Sequence, residues 1–165
     1  MISFEAHAQH TLERLQHGGA LLTVRANGAL NTMTIGWGSL SIYWGRPVFI
    51  APVRLSRHTH YLMEQAEAFT VTVPRADELR DALAYCGSHS GRNVDKFASC
   101  SLTAQPGRVV DCPVVGEGWL HYECVIRGRV TLSAQALDPV IDQSVYDDGD
   151  YHTLYFGEIV ACYTR

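Results

Sequence analysis

The chain has 165 residues, 47% hydrophobic and 18% charged, with a formal net charge of −4. This apolar content with little net charge excludes disorder as the main state, and the length fits a single domain over residues 1–165. There is no basic excess to attract nucleic acid, and no run approaches the ~20 apolar residues of a membrane-spanning helix.

In chain order, residues 5–16 are predicted to form a short amphipathic helix. Leu12 and Leu15 mark its apolar face, and Gly18-Gly19 stop it. Leu21 to Arg25 is a predicted strand, Asn27-Gly28 a tight turn, and Leu30 to Trp37 the partner strand. Pro47 to Val53 is almost uninterruptedly apolar, so it is predicted as a buried strand. Tyr61 to Ala66 has helical spacing, with Ser56 and Thr59 as candidate caps. Phe69 to Val73 alternates as a strand and ends at Pro74. Asp77 to Tyr85 is predicted as a helix opened by an acid and closed by Gly87.

Residues 88–108 look irregular, with one helical turn near Val94 to Ala98. Trp119 to Leu132 is β-rich, with Gly128 marking a bulge or bend. Gln135 to Tyr151 is acidic and is predicted as a surface excursion, with Asp147, Asp148 and Asp150 solvated. His152 to Tyr163 is the last strand. About six strands, mostly sequence-adjacent, predict a mainly β antiparallel barrel with inserted helices.

Three stretches carry candidate chemistry. Arg54-Leu55-Ser56-Arg57-His58-Thr59 lies where a strand ends and a helix begins. Free N–H groups, two arginines and two hydroxyls suit a phosphate there. The same residues fit a helix cap with two solvated arginines equally well. Cys86-Gly87-x-x-Ser90-Gly91-Arg92-x-x-Asp95-Lys96-Phe97 holds the single lysine, the other 12 basic residues being Arg. Gly91 suits a positive φ and close backbone approach, and Lys96 a point charge on phosphate. The plain alternative is a turn with a local Asp95–Lys96 pair. In Asn31-Thr32-Met33-Thr34-Ile35-Gly36-Trp37-Gly38, the polar groups suit a heterocycle edge flanked by Trp37; an ordinary strand with outward hydroxyls is the other reading. Neither nucleotide-binding glycine fingerprint is present.

Together, in this order, the three stretches resemble the flavin reductase-like, flavoredoxin-type FMN-binding proteins. Gly149 to Glu158 also resembles that family's last core strand. The resemblance implies an FMN-binding split barrel, homodimeric, with each flavin near the subunit interface. By position, Asn31, Thr32, Met33, Thr34 and Trp37 would surround the flavin ring. Arg54, Ser56, Arg57 and Thr59 would hold the phosphate, with Lys96, Ser90 and Arg92 closing over it. His152 matches a family histidine beside the ring and is the candidate catalytic residue. Two features depart from the pattern: a longer excursion at 135–151 and a chain that ends at Arg165 without a further C-terminal segment.

The resulting expectation is an FMN oxidoreductase that takes hydride from NADH or NADPH and reduces an acceptor. A non-catalytic electron carrier served by a redox partner protein is the alternative, and a cofactor-free interaction module a third. His7, His10 and His17 lack a convergent metal-ligand spacing, so no metal is expected. Five cysteines, odd in number and without a Cys-x-x-Cys pair, and a start without a basic, apolar leader predict reduced thiols in the cytoplasm.

Overall fold

A computed structural model describes residues 4–165; the first three residues of the expected domain lie outside them. A 3-10 turn at Glu5–His7 leads into α1 (Ala8–Gln16), which buries Thr11 and Leu15. β1 (Ala20–Ala26) and β2 (Ala29–Ile35) form a hairpin around Asn27 and Gly28, both at positive φ as a tight turn requires. β3 (Ser39–Tyr43) and β4 (Arg46–Arg54) form the next hairpin. Then follow α2 (His58–Met63), β5 (Ala68–Val73), α3 (Arg80–Ser88) and α4 (Lys96–Ser99). Two short strands, β6 (Ala104–Gln105) and β7 (Val114–Val115), pair apart from the main sheet. β8 (Leu120–Thr131), a 3-10 turn at Ala134–Ala136, α5 (Pro139–Val145) and β9 (His152–Thr164) complete the chain.

Seven strands make one antiparallel sheet in the order β2-β1-β5-β8-β9-β4-β3. The sheet does not close. Its two edge strands, β2 and β3, are consecutive in the chain and joined only by Gly36-Trp37-Gly38. This is a split barrel, with the split spanned by the tryptophan loop.

Strand alternation sorts the core into two parts. Leu22 and Val24 point to one side, into the main core with Phe49, Phe69, Tyr122 and Ile159. Leu21 points to the other, into a smaller cluster with Leu83 and Cys86 of α3 and Phe97 of α4. The helices α3 and α4 therefore cover the outer face of the β1–β2 hairpin. β8 bends twice, at Glu123/Cys124 and Ile126/Gly128, where its register against β9 shifts. The predicted irregularity at Gly128 is one of these bulges.

Glu123, wholly buried, organises the loop before β7. Its carboxylate accepts from the backbone N–H groups of Arg108 (2.6 Å), Val109 (2.7 Å) and Val110 (3.0 Å) and from the Tyr163 hydroxyl (2.7 Å). Burial raises its pKa, but these donors outweigh burial and hold the carboxyl below its usual range.

Several predicted boundaries move. α2 begins at His58 rather than Tyr61, and its N-cap is Arg57, with no side-chain cap bond from Ser56 or Thr59. α3 begins at Arg80 rather than Asp77, because Asp77 and Leu79 take positive φ (31° and 56°). Gly87 does not close α3 but lies inside it, facing Thr34 of β2. The predicted excursion contains α5 and is mostly exposed, although Tyr146 is buried.

Candidate functional site

The site forms where β4 ends, β2 passes, and the segment between α3 and α4 folds across both. β4 delivers Arg54, and the turn that follows supplies Ser56 and Arg57. On β2, Asn31 faces α2 and donates from Nδ2 to the Thr59 hydroxyl at 2.8 Å. Gly91 lies directly over the Asn31 amide, where a Cβ would collide with Oδ1. Its role is therefore missing bulk, and not the positive φ expected from sequence. Together these elements enclose a cavity of about 220 Å³ lined by Asn31, Met33, Ser56, Thr59, Ser90 and four cations, Arg54, Arg57, Arg92 and Lys96.

The cations set the chemistry of this cavity. Each is held by backbone carbonyls. Arg57 donates to Gly87 O (3.2 Å), Arg92 to Ser56 O (3.1 Å) and Lys96 to Cys86 O (2.8 Å). Among the described residues, none of these three pairs with a carboxylate. Burial, with the Arg57 charge acting in the same direction, pushes the Lys96 ammonium below its ordinary pKa. Asp95 is not its partner; it caps α4 by accepting from Ala98 N. Three cations holding positive charge close together, one of them desolvated, are stabilised by an anion in the space between them. With six residues, α2 is too short for its dipole to dominate, so side chains carry this field.

Arg54 is committed differently. It donates to Asp150 O (2.8 Å) and Val145 O (3.1 Å), and it lies 3.7 Å from the Asp148 carboxylate. Asp150, expected to be solvated, instead reaches into the site. Its carboxylate accepts from the backbone N–H (2.9 Å) and hydroxyl (2.6 Å) of Ser56.

A second cavity of about 210 Å³ shares Met33, Arg54 and Arg57 with the first and adds Thr34, Trp37, Pro52 and His152. The Trp37 ring, half exposed, lies 5.1 Å from the His152 ring. His152 is buried and its Nδ1 bonds the Tyr146 hydroxyl at 2.8 Å. Burial, reinforced by the Arg54 charge, lowers its pKa to about 4, so the imidazole is neutral near pH 7. The two cavities thus form one cleft, cationic at one end and aromatic at the other.

Every predicted site residue except Thr32 lines this cleft. Strand alternation turns Thr32 to the opposite face of β2, where its hydroxyl bonds Thr23 Oγ1 (3.0 Å) and Leu22 O (3.2 Å). Thr34 reaches the rim while donating to Leu83 O of α3 at 2.6 Å.

The family model of the flavin reductase like domain matches residues 12–165. The chain belongs to this family. A flavoredoxin of Methanosarcina acetivorans superposes over 90% of this chain and 68% of its own, with a TM-score of 0.69 and 26% identity. An NADH:FAD oxidoreductase of Streptomyces globisporus superposes over 100% and 87%, with a TM-score of 0.66 and 18% identity. An uncharacterized protein of Pyrococcus abyssi is 30% identical over 116 residues, 69% of this chain. The chain spans about half the length of that relative (53%).

Within this flavin reductase-like barrel, sequence reasoning missed two residues, Tyr146 and Asp150. Both sit in the acidic stretch before β9. The available signal was an apolar pair, Val145-Tyr146, among charged and small residues that gave the segment no reason to bury an aromatic.

Proposed function

We propose that this chain is an FMN-binding oxidoreductase, a single domain over residues 1–165, that uses NADH or NADPH to reduce a bound flavin. Among the described residues, Arg57, Arg92 and Lys96 converge without a carboxylate partner on a cavity that adjoins the Trp37–His152 cavity through Met33, Arg54 and Arg57, and this carries the reading. The donor set fits a phosphate monoester, and the aromatic end fits a planar heterocycle. The flavin ring would supply the hydride-accepting chemistry when bound. The residues of the chain bind and orient. Arg57, Arg92, Lys96 and Ser90 hold the phosphate, Ser56 and Thr59 border it, and Arg54 braces the Asp150 segment. Met33, Thr34 and Trp37 line the ring end, Asn31 lines the cationic cavity beside it, Thr32 takes no part, and His152 stands at the ring end as a neutral hydrogen-bonding group.

A homodimer completes this reading. Ile42, Tyr43 and Trp44 are exposed at the β3–β4 turn, with the last two packed against Phe156, and an exposed apolar and aromatic surface of this kind, bordered by Arg46, suits subunit contact. A cytoplasmic location is supported by five cysteines that all remain free thiols. Among the described residues, no helix is long and apolar enough to cross a membrane.

Likeness to a flavoredoxin favours a second reading, a tightly held flavin that exchanges electrons with a redox partner protein. Titration of the purified protein with FMN and FAD, followed by addition of NADH or NADPH, separates the two readings. Flavin uptake with nicotinamide oxidation supports the reductase; uptake without it supports the carrier. A protein that takes up neither flavin overturns both and leaves an interaction module.

A further inference from the structure

We propose that Tyr146 is a positioning residue for His152: its phenol fixes the imidazole as the tautomer that presents Nε2–H to the cleft beside Trp37. The 2.8 Å contact between Tyr146 Oη and His152 Nδ1 permits two arrangements. In one the phenol donates to Nδ1, and the ring proton sits on Nε2. In the other Nδ1–H donates to the phenol, whose own hydrogen then needs an acceptor. Among the described residues the Tyr146 hydroxyl has His152 as its hydrogen-bond partner and no second acceptor, and the side chain is buried. A buried hydroxyl without an acceptor is disfavoured, so the phenol donates. Burial also raises the Tyr146 pKa, which keeps the phenol protonated.

The phenol is held on several sides. Its ring stacks on Tyr151 at 5.0 Å, and the Arg54 guanidinium lies 5.4 Å from the ring centre. Arg54 also grips Val145 O and Asp150 O, the chain on either side of Tyr146. Tyr151 in turn donates to the Asp142 carboxylate of α5 at 2.7 Å. The acidic excursion is thereby fastened to β4, and its one buried aromatic is delivered to His152.

Among the described residues nothing bonds His152 Nε2, and the ring lines the cleft. A fixed, neutral N–H donor there recognises an acceptor atom of a bound heterocycle, a carbonyl oxygen or an unprotonated ring nitrogen. That consequence rests on the proposed ring site; the tautomer does not.

The test is nitrogen-15 NMR of the imidazole rings in the whole protein, with and without FMN, the His152 signals assigned by their loss in His152→Asn. The expected result is an unprotonated Nδ1 and a protonated Nε2 in the wild type, and a mixture of tautomers in Tyr146→Phe. In NADH oxidation with FMN, Tyr146→Phe is expected to lower kcat between about tenfold and a hundredfold, the scale of a misoriented group. A protonated Nδ1 in the wild type, or a tautomer that Tyr146→Phe does not alter, overturns the positioning role. A kcat that Tyr146→Phe leaves unchanged overturns its part in the reaction. Failure to bind FMN instead overturns the ring-site reading, and the wild-type tautomer still decides the inference.

Discussion

Lys96 is the residue at which composition and structure meet. The only lysine of the chain is buried, with its ammonium on a backbone carbonyl and three arginines on the same cavity. A cation is costly to bury unless a ligand uses it. Lys96→Met keeps the unbranched shape and most of the length of the side chain and removes charge and donor together. It is expected to weaken FMN binding by at least about tenfold, the worth of one charge-assisted hydrogen bond. Riboflavin, which has the ring without the phosphate, should bind wild type and variant equally. Fluorescence titration with both ligands checks this. Equal loss for both, or no loss for either, removes Lys96 from the phosphate set.

Among the elements, the strand–helix corner after β4 and the glycine-bearing segment before α4 were legible because their residue types carry the chemistry directly. The strand β3 was not, although Ser39-Leu40-Ser41-Ile42 alternates. The predicted strand runs through Gly36 to Trp37, whereas the observed one ends at Ile35, and the alternation that follows Gly38 is too short to stand alone. Thr32 was placed by motif without regard to strand alternation, which turns it to the far face of β2. The α3 boundary moved because a local left-handed turn at Asp77 and Leu79 overrode the helix-start signal. The sheet order, which sets β1 between β2 and β5, depends on distant pairings that no local pattern encodes. Gly157 of β9 also looked unremarkable in sequence, yet a Cβ there would lie 2.5 Å from Phe69 Cζ and 2.7 Å from Cys124 Cβ. Gly157→Ala overpacks the centre of the barrel and should cost about 1–3 kcal/mol. Thermal unfolding should then drop by several degrees, at roughly 2–4 °C per kcal/mol for this size. An unchanged midpoint would show that β8 and β9 yield at the bulge instead.

At the scale of the whole molecule, stability should depend on pH through two buried histidines. His121, paired with the Thr72 hydroxyl, and His152 both have pKa values lowered to about 4, in each case chiefly by burial, with Arg108 acting on the first and Arg54 on the second. A lowered histidine pKa means that below pH 6.5 the unfolded chain binds a proton the folded chain refuses. Folding free energy is therefore fully present above pH 6.5, declines as pH falls, and stops declining below about 4. At pH 5 each histidine should have cost about 2 kcal/mol, from 1.36 kcal/mol per pKa unit. His58, lowered by burial and by Arg92 and Lys96, adds to the same trend. The carboxylates Glu123 and Asp150 act separately. Their pKa values are lowered, so their stabilisation is lost only below their unfolded values of 4.5 and 3.8. Between pH 8 and pH 5 the flavin-free protein should thus lose roughly 8–16 °C in its unfolding midpoint through the two histidines. His121→Gln keeps a polar partner for Thr72 and cannot take up the proton, so about half of that loss should disappear. Calorimetry of both proteins at the two pH values makes the comparison. Parallel losses would place the pH dependence elsewhere in the molecule.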